Sequence, residues 1–251
     1  FRGLIDRLDY LTRDSFFTGV SEGKIGAERI IKLLNVHNDE LVIEEKGIYS
    51  IENFLSSRRL MYWQVYFHKT TVSVEKMLIQ IVKRAREIEM SNGNISEELS
   101  FFLKKSYTAD DIATRPEILE AFTNLDDYDI IGAIKVWKNS DDFVLKQFSR
   151  MLLDRNLLKV KLYEEPVPKQ ELKKIKEKLK SSGVEKEHLK YFMLHGMMTN
   201  AAYLGGDHKI NVISKKGELI DIALASDLPN IKAMRKIVKK YYLCWPKSLI
   251  L

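Results

Sequence analysis

The chain has 251 residues, 45% hydrophobic and 30% charged, with 41 Lys+Arg against 35 Asp+Glu and a formal net charge of +6. That balance excludes a disordered polypeptide and allows a packed core, in one large or two modest domains. A lone Cys244 excludes a disulfide framework and a Cys-rich zinc site, and no apolar run reaches the roughly 20 residues of a membrane helix. The expected compartment is the cytoplasm, with no membrane partner. The basic charge suits an anionic partner without choosing among nucleotide, nucleic acid and acidic protein.

The stretch Asp6-Arg7-Leu8-Asp9-Tyr10-Leu11-Thr12-Arg13-Asp14 reads as a helix. Asp6, Tyr10 and Asp14 then fall at i, i+4 and i+8 and climb one edge, while Asp9 and Arg13 form an i,i+4 pair. Two carboxylates and a phenol thus share one space. After Gly19 and Gly23 mark a turn, residues 27–34 form a short amphipathic helix and 40–45 a short strand ended by Lys46-Gly47, its partner not evident. A second charged helix starts at Ser50 and aligns Arg58, Tyr62 and Tyr66, with His68 and Lys69 at its C-terminal end, where cations suit the helix dipole. Arg offers bidentate phosphate contacts, Lys a point charge, and Tyr a stacking face with a hydroxyl tip. The two stretches together suit a polyanionic ligand with a flat ring, such as a nucleotide.

Apolar spacing predicts further helices at 70–89, 96–105, 116–125, 126–137 and 141–154, with Asp126 and Asp141 as N-caps. The character changes near Asn156. Residues 158–163 alternate like a half-buried strand, 168–181 form a Lys-rich helix closed by Gly183, and 191–198 read as a strand. Residues 209–222 read as a hairpin turned at 215–218, and 230–242 as a last helix. The fold class expected is mainly α, with a small C-terminal α+β domain. The domains expected are 1–155, a helical region, and 156–251, a β-α-β-β-α unit with helices on one sheet face.

Asp6-Arg7-Leu8-Asp9-Tyr10 with Arg13-Asp14 and Phe17-Thr18-Gly19-Val20 resembles the segment carrying the last metal ligand of HD-superfamily phosphohydrolases. The branch most similar is the deoxynucleoside triphosphate triphosphohydrolases. Arg58 through Tyr66-Phe67-His68-Lys69 is similar to that branch's second signature helix, and the resemblance covers residues 4–90. It implies Asp6 as a metal ligand and Arg7 and Arg58 as phosphate contacts. It also implies Tyr10 and Asp14 facing the sugar, Asp14 accepting from the 3′-hydroxyl, and Tyr66 packing on the sugar against a 2′-hydroxyl. Lys69 would add phosphate charge. Phe67 stands where the eukaryotic members have a polar residue.

The implied activity is metal-dependent hydrolysis of a deoxynucleoside triphosphate to nucleoside and triphosphate, in a homo-oligomer with a nucleotide effector. The cofactor would be a divalent ion (Mg, Mn, Fe or Zn) held by a His, a His-Asp pair and Asp6. The sequence contains no His-Asp dipeptide, so it reads as the C-terminal part of a longer protein with one of four metal ligands, inactive alone. Two alternatives stand beside this reading. One is an HD-type phosphohydrolase of another phosphate ester, the other a non-catalytic regulatory or nucleic-acid-binding module. Among the remaining features, His195 reads as a core histidine, Asp207-His208 as a loop dipeptide and the lysines from 169 to 180 as a solvated face.

Overall fold

The structure, a computed structural model, describes residues 4–89, 95–200, 209–228 and 238–248. In chain order its first half runs α1 (Leu4–Thr18), α2 (Ala27–Lys32), β1 (Leu34–His37), β2 (Glu40–Glu44), α3 (Ile48–Met61), α4 (Lys69–Glu87), α5 (Glu97–Lys104), α6 (Ala109–Thr114), α7 (Pro116–Asn124) and α8 (Asp127–Trp137). There follow α9 (Phe143–Leu153), β3 (Lys159–Tyr163), α10 (Lys169–Ser181), α11 (Leu189–Phe192), β4 (Leu194–Asn200), β5 (Asn211–Ile213), β6 (Leu219–Asp221), α12 (Ile222–Ala225) and β7 (Val238–Trp245). The chain is mainly helical with a small sheet-containing C-terminal region, the class expected. Among the described residues no helix is long and apolar enough to cross a membrane.

Contacts divide the chain into two compact units, Phe1–His68 with Met197–Lys240, and Lys69–Gly196 with Tyr241–Leu251. They interleave along the chain. In the first unit a four-stranded sheet has the order β1-β2-β5-β6. Asn38 and Asp39, at φ 50° and 60°, make the tight left-handed turn that pairs β1 antiparallel to β2. β5 then adds parallel to β2, with Ile43 opposite Val212. The expected hairpin is therefore real, β5 pairing antiparallel to β6, but it completes the sheet of residues 34–44 rather than a sheet with β3. Leu4, Leu8 and Leu11 bring α1 onto this core together with Ile43, Ile51, Phe54, Met61 and Val212. The turn at Ser21–Gly23 is wedged in: a Cβ on Gly23 would lie 2.6 Å from Met61 Sδ and 2.7 Å from Ser15 Cβ.

The second unit is built on α4, whose Val72, Met77, Ile81 and Ala85 are buried and against which α9 packs. Arg84 forks onto Asp142, with Nη2 to Oδ2 at 2.6 Å and Nε to Oδ1 at 3.2 Å. Asp142, not Asp141, caps α9: its Oδ1 accepts from Leu145 N at 2.8 Å. Glu87 of α4 accepts from the hydroxyl of Tyr191 and, at 3.2 Å, from Lys190. The Phe148 and Phe192 rings stack at 4.9 Å.

Three further expectations are corrected. Residues 191–198 divide into the end of α11 and strand β4, and His195 on that strand is exposed rather than buried. The last helix, expected over 230–242, is a strand where the structure describes it, over Val238–Trp245. This strand pairs antiparallel to β3 from Lys159↔Trp245 to Tyr163↔Tyr241. Its Tyr-Tyr-Leu-Cys-Trp run suits a pleated half-buried surface better than a helix. Residues 229–237, and the Asp207-His208 dipeptide, lie outside the described residues.

Candidate functional site

The leucines of α1 face the core, which leaves Asp6, Tyr10 and Asp14 along its edge, Asp6 exposed and the other two half-buried. Asp9 and Arg13 form their expected pair at the surface. α3, which packs on α1, carries Arg58 near its end and then passes into a π turn over Tyr62–Tyr66. The turn closes when Phe67 N–H donates to Tyr62 O, five residues back, at 2.7 Å. Such single π turns recur at functional sites.

The Tyr66 hydroxyl donates to Asp14 Oδ2 at 2.7 Å. The Tyr10 ring meets Tyr66 edge-on at 6.1 Å, and Tyr62 meets Tyr66 at 4.9 Å. Arg58, only 8% exposed, sets its guanidinium carbon 5.2 Å from the Tyr62 ring centroid, a cation–π arrangement, and hydrogen-bonds the Tyr10 hydroxyl. Burial raises the pKa of Tyr10 even though Arg58 pulls the other way. Burial first, and then the carboxylate of Asp14, push Tyr66 up more strongly. Both phenols are thus held as neutral hydroxyls at ordinary pH.

The structure therefore brings together Tyr10, Asp14, Arg58 and Tyr66 within one unit. Arg7, half-buried, acts on Tyr10 through its charge. Lys69 is exposed and is the first residue of α4, in the other unit. Tyr62 is the ring joining Arg58 to Tyr66. Phe67 and Trp63 extend the aromatic wall, with Phe67 at 5.6 Å from Tyr62 and 5.5 Å from Trp63. The aromatic density of Tyr62-Trp63-Gln64-Val65-Tyr66-Phe67 was the available signal for that wall. The π turn itself has no sequence signature here.

Chemically, the cluster can receive a flat or polyhydroxyl ligand. It offers ring faces and edges, a carboxylate with lone pairs left to accept a hydroxyl proton, and a guanidinium shielded from water. Asp6 brings one carboxylate. Among the described residues the group of three metal-ligating side chains brought together is Glu185, Glu187 and His188, in the other unit. A divalent ion needs several donors at once, so Asp6 with its described neighbours does not fit such an ion.

Residues 25–115 match the family model described as the HD associated region. The uncharacterized protein YwfO of Bacillus subtilis is 28% identical over 253 residues, 98% of this chain and 56% of that protein. A phosphohydrolase of Bacteroides thetaiotaomicron has a similar structure, with a TM-score of 0.81 and 46% identity over 96% of this chain and 61% of that one. A Dictyostelium discoideum homolog of the deoxynucleoside triphosphate triphosphohydrolase SAMHD1 is 26% identical over 97 residues, 39% of this chain and 19% of that protein. This chain spans little more than half the length of YwfO and of the Bacteroides protein. Together the likenesses point to HD-superfamily phosphohydrolases.

Proposed function

We propose that this chain forms the nucleotide-holding part of an HD-superfamily phosphohydrolase that converts deoxynucleoside triphosphates to nucleoside and triphosphate. The observation that carries the reading is the 2.7 Å bond from Tyr66 to Asp14, which joins two separate stretches, each with its own resemblance to that branch, at one point. The likeness to a named phosphohydrolase supports the coarser part of it.

In this reading the oxygens of Asp14 accept from the sugar 3′-hydroxyl while Tyr66 holds the carboxylate in place. The Tyr66 ring covers the face where a 2′-hydroxyl would stand. Tyr10 flanks the sugar from α1, and Arg58 fixes the Tyr10 hydroxyl while offering its charge to phosphate. Arg7 adds a cation toward the phosphate chain. A divalent ion in such chemistry activates water and polarises phosphate. The described donors around Asp6 do not make a site for it, so the roles assigned to this chain are binding and orientation. A homo-oligomer with a nucleotide effector belongs to the same proposal.

The test uses the intact protein with a panel of deoxyribo- and ribonucleoside triphosphates, products being separated by ion exchange. Release of triphosphate and nucleoside, with binding of deoxynucleotides weakened about tenfold or more by Asp14→Ala, is the expected result. Nucleotide affinity unchanged by Asp14→Ala would overturn the assignment. Release from a different ester, with the Asp14 effect retained, would move the substrate and keep the site.

A further inference from the structure

The π turn that aims Tyr66 is gripped residue by residue. Arg58 lies over Tyr62, Gln64 donates to the carboxylate of Glu22, Val65 packs on the core, and Tyr66 reaches Asp14. Arg58, Glu22 and Asp14 all precede the turn in the chain. Trp63, the remaining residue of the turn, is held from the other direction. Lys240, on β7, sets its ammonium 5.5 Å from the Trp63 ring centroid. Both side chains are half-buried, and both belong to the first unit. Lys239, the neighbour of Lys240, is exposed, as the alternation of a strand requires when one position faces a partner.

Closure of the turn rests on the Trp63 ring. Phe67 packs edge-on against Trp63 at 5.5 Å and against Tyr62 at 5.6 Å. The N–H of Phe67 makes the bond to Tyr62 O that closes the π ring. Lys240 thus fixes Trp63, Trp63 fixes Phe67, and Phe67 fixes the turn from which Tyr66 is aimed at Asp14. Tryptophan is the best aromatic partner for a cation, and partial burial spares the pair some competition from water. A backbone as irregular as a π turn persists only where its surroundings over-determine it. Lys240 is the part of those surroundings that comes from the C-terminal strand.

We propose that Lys240 is a positioning residue for the candidate site, its ammonium clamping Trp63 so that the π turn presents Tyr66 and Asp14 together to the ligand. It acts through the rings and not on the phosphate chain. The role rests on the proposed nucleotide site, and it adds to that site a side chain from the far end of the sequence. One opening of the turn breaks the Lys240–Trp63 and Tyr66–Asp14 contacts alike, so the two contacts hold the same local structure.

The measurement is amide hydrogen exchange on the intact protein, and it needs no ligand. Lys240→Met keeps the length of the side chain and removes its charge, and it is expected to speed exchange at Phe67 about 3- to 10-fold, with Leu55 of α3 unchanged. Lys240→Arg is expected to keep the wild-type rate, since a guanidinium also binds a ring face, and Lys239→Met to change nothing. Tyr66→Phe is expected to speed the same Phe67 amide. Trp63→Leu removes the other half of the clamp, with the same expected effect, and keeps the test open if Lys240→Met misfolds. Calorimetric titration with deoxyadenosine and with deoxyadenosine triphosphate should show the ratio of the two dissociation constants unchanged by Lys240→Met, within about 2-fold. An unchanged Phe67 rate overturns the clamp, and equal acceleration at Leu55 reduces it to a global loss of stability. A Phe67 rate that answers to Lys240 but not to Tyr66→Phe overturns the link to the site. Weakening confined to the triphosphate overturns the positioning role by making Lys240 a phosphate contact. A wild type that binds neither ligand refutes the nucleotide reading, and exchange at Phe67 then decides the clamp by itself.

Discussion

Tyr66→Phe isolates the bond on which the functional reading turns. The substitution keeps the ring, and with it the edge contacts to Tyr10 and Tyr62, and deletes only the hydroxyl that donates to Asp14 at 2.7 Å. A bond to an ionised acceptor is worth about 1.5–3 kcal/mol when shielded. Both partners here are half-buried, so solvent competes and about 1–2 kcal/mol is expected. Urea denaturation of wild type, Tyr66→Phe, Asp14→Ala and the double variant gives the coupling energy directly, provided the slope with denaturant is unchanged. A coupling below about 0.3 kcal/mol, within the usual error of additivity, would refute the claim that the two stretches are joined at this point. The pH dependence offers an internal check. Burial and then Asp14 raise the Tyr66 pKa in the folded state, so the folded protein keeps a proton that the unfolded chain releases near pH 10. The stability this confers is complete below that pH and falls as pH rises above it, and phenylalanine at position 66 removes that part of the fall.

Three other perturbations follow from the packing. Gly23→Ala forces a methyl against Met61 Sδ and Ser15 Cβ and should cost about 1–3 kcal/mol in thermal or urea unfolding; no loss would show that the turn yields freely. Arg84→Ala strips Asp142, whose side chain is 15% exposed, of its forked partner and should cost about 3 kcal/mol, read as a lowered Tm of the second unit. Burial raises the Cys244 thiol to about 12, so its contribution is complete below the unfolded value near pH 8.5–9 and is lost as pH rises toward 12. Cys244→Ala should flatten that decline, which otherwise reaches a slope of about 1.4 kcal/mol per pH unit.

Local signals in the sequence carried the helices well. Asp126 accepts from Tyr128 N and Asp129 N at the start of α8, and Ser96 caps α5, because a cap is decided by residues within one turn of it. Pairing between distant strands had no such local signal. Nothing near Glu40–Glu44 announces Val212, and nothing in 238–245 announces β3; those partners are chosen by which apolar faces remain to be covered once the helices have packed. The turn at Asn38-Asp39 was legible in principle, since both residue types tolerate the left-handed conformation, and it would have supplied the partner of β2. Within the candidate site, the i,i+4 ladder of Asp6, Tyr10 and Asp14 was readable because α1 is regular. The ladder of Arg58, Tyr62 and Tyr66 was readable only up to Tyr62, where the α-helix ends.

That interruption bears on function. A π turn inserts a residue into the helical repeat and widens the hydrogen-bonded ring, so it persists where tertiary contacts compensate for it. Here the compensating contacts are the ones that make the site. Arg58 lies over Tyr62, Tyr62 meets Tyr66 and Phe67, and Tyr66 reaches Asp14 on α1. A regular helix through residues 62–66 would rotate Tyr66 away from its present bearing on Asp14 while sparing the local cost. The Tyr66–Asp14 bond and the π turn are therefore two halves of one arrangement, in which a locally unfavourable backbone is held by a cross-element contact. Local irregularity concentrates where side chains must be aimed rather than merely buried. On that physical ground, and not on the charge of the ladder alone, the cluster of Tyr10, Asp14, Arg58, Tyr62 and Tyr66 is the one we propose as a ligand site, and the Tyr66–Asp14 bond across α1 and the π turn sets it apart from a solvated helix face.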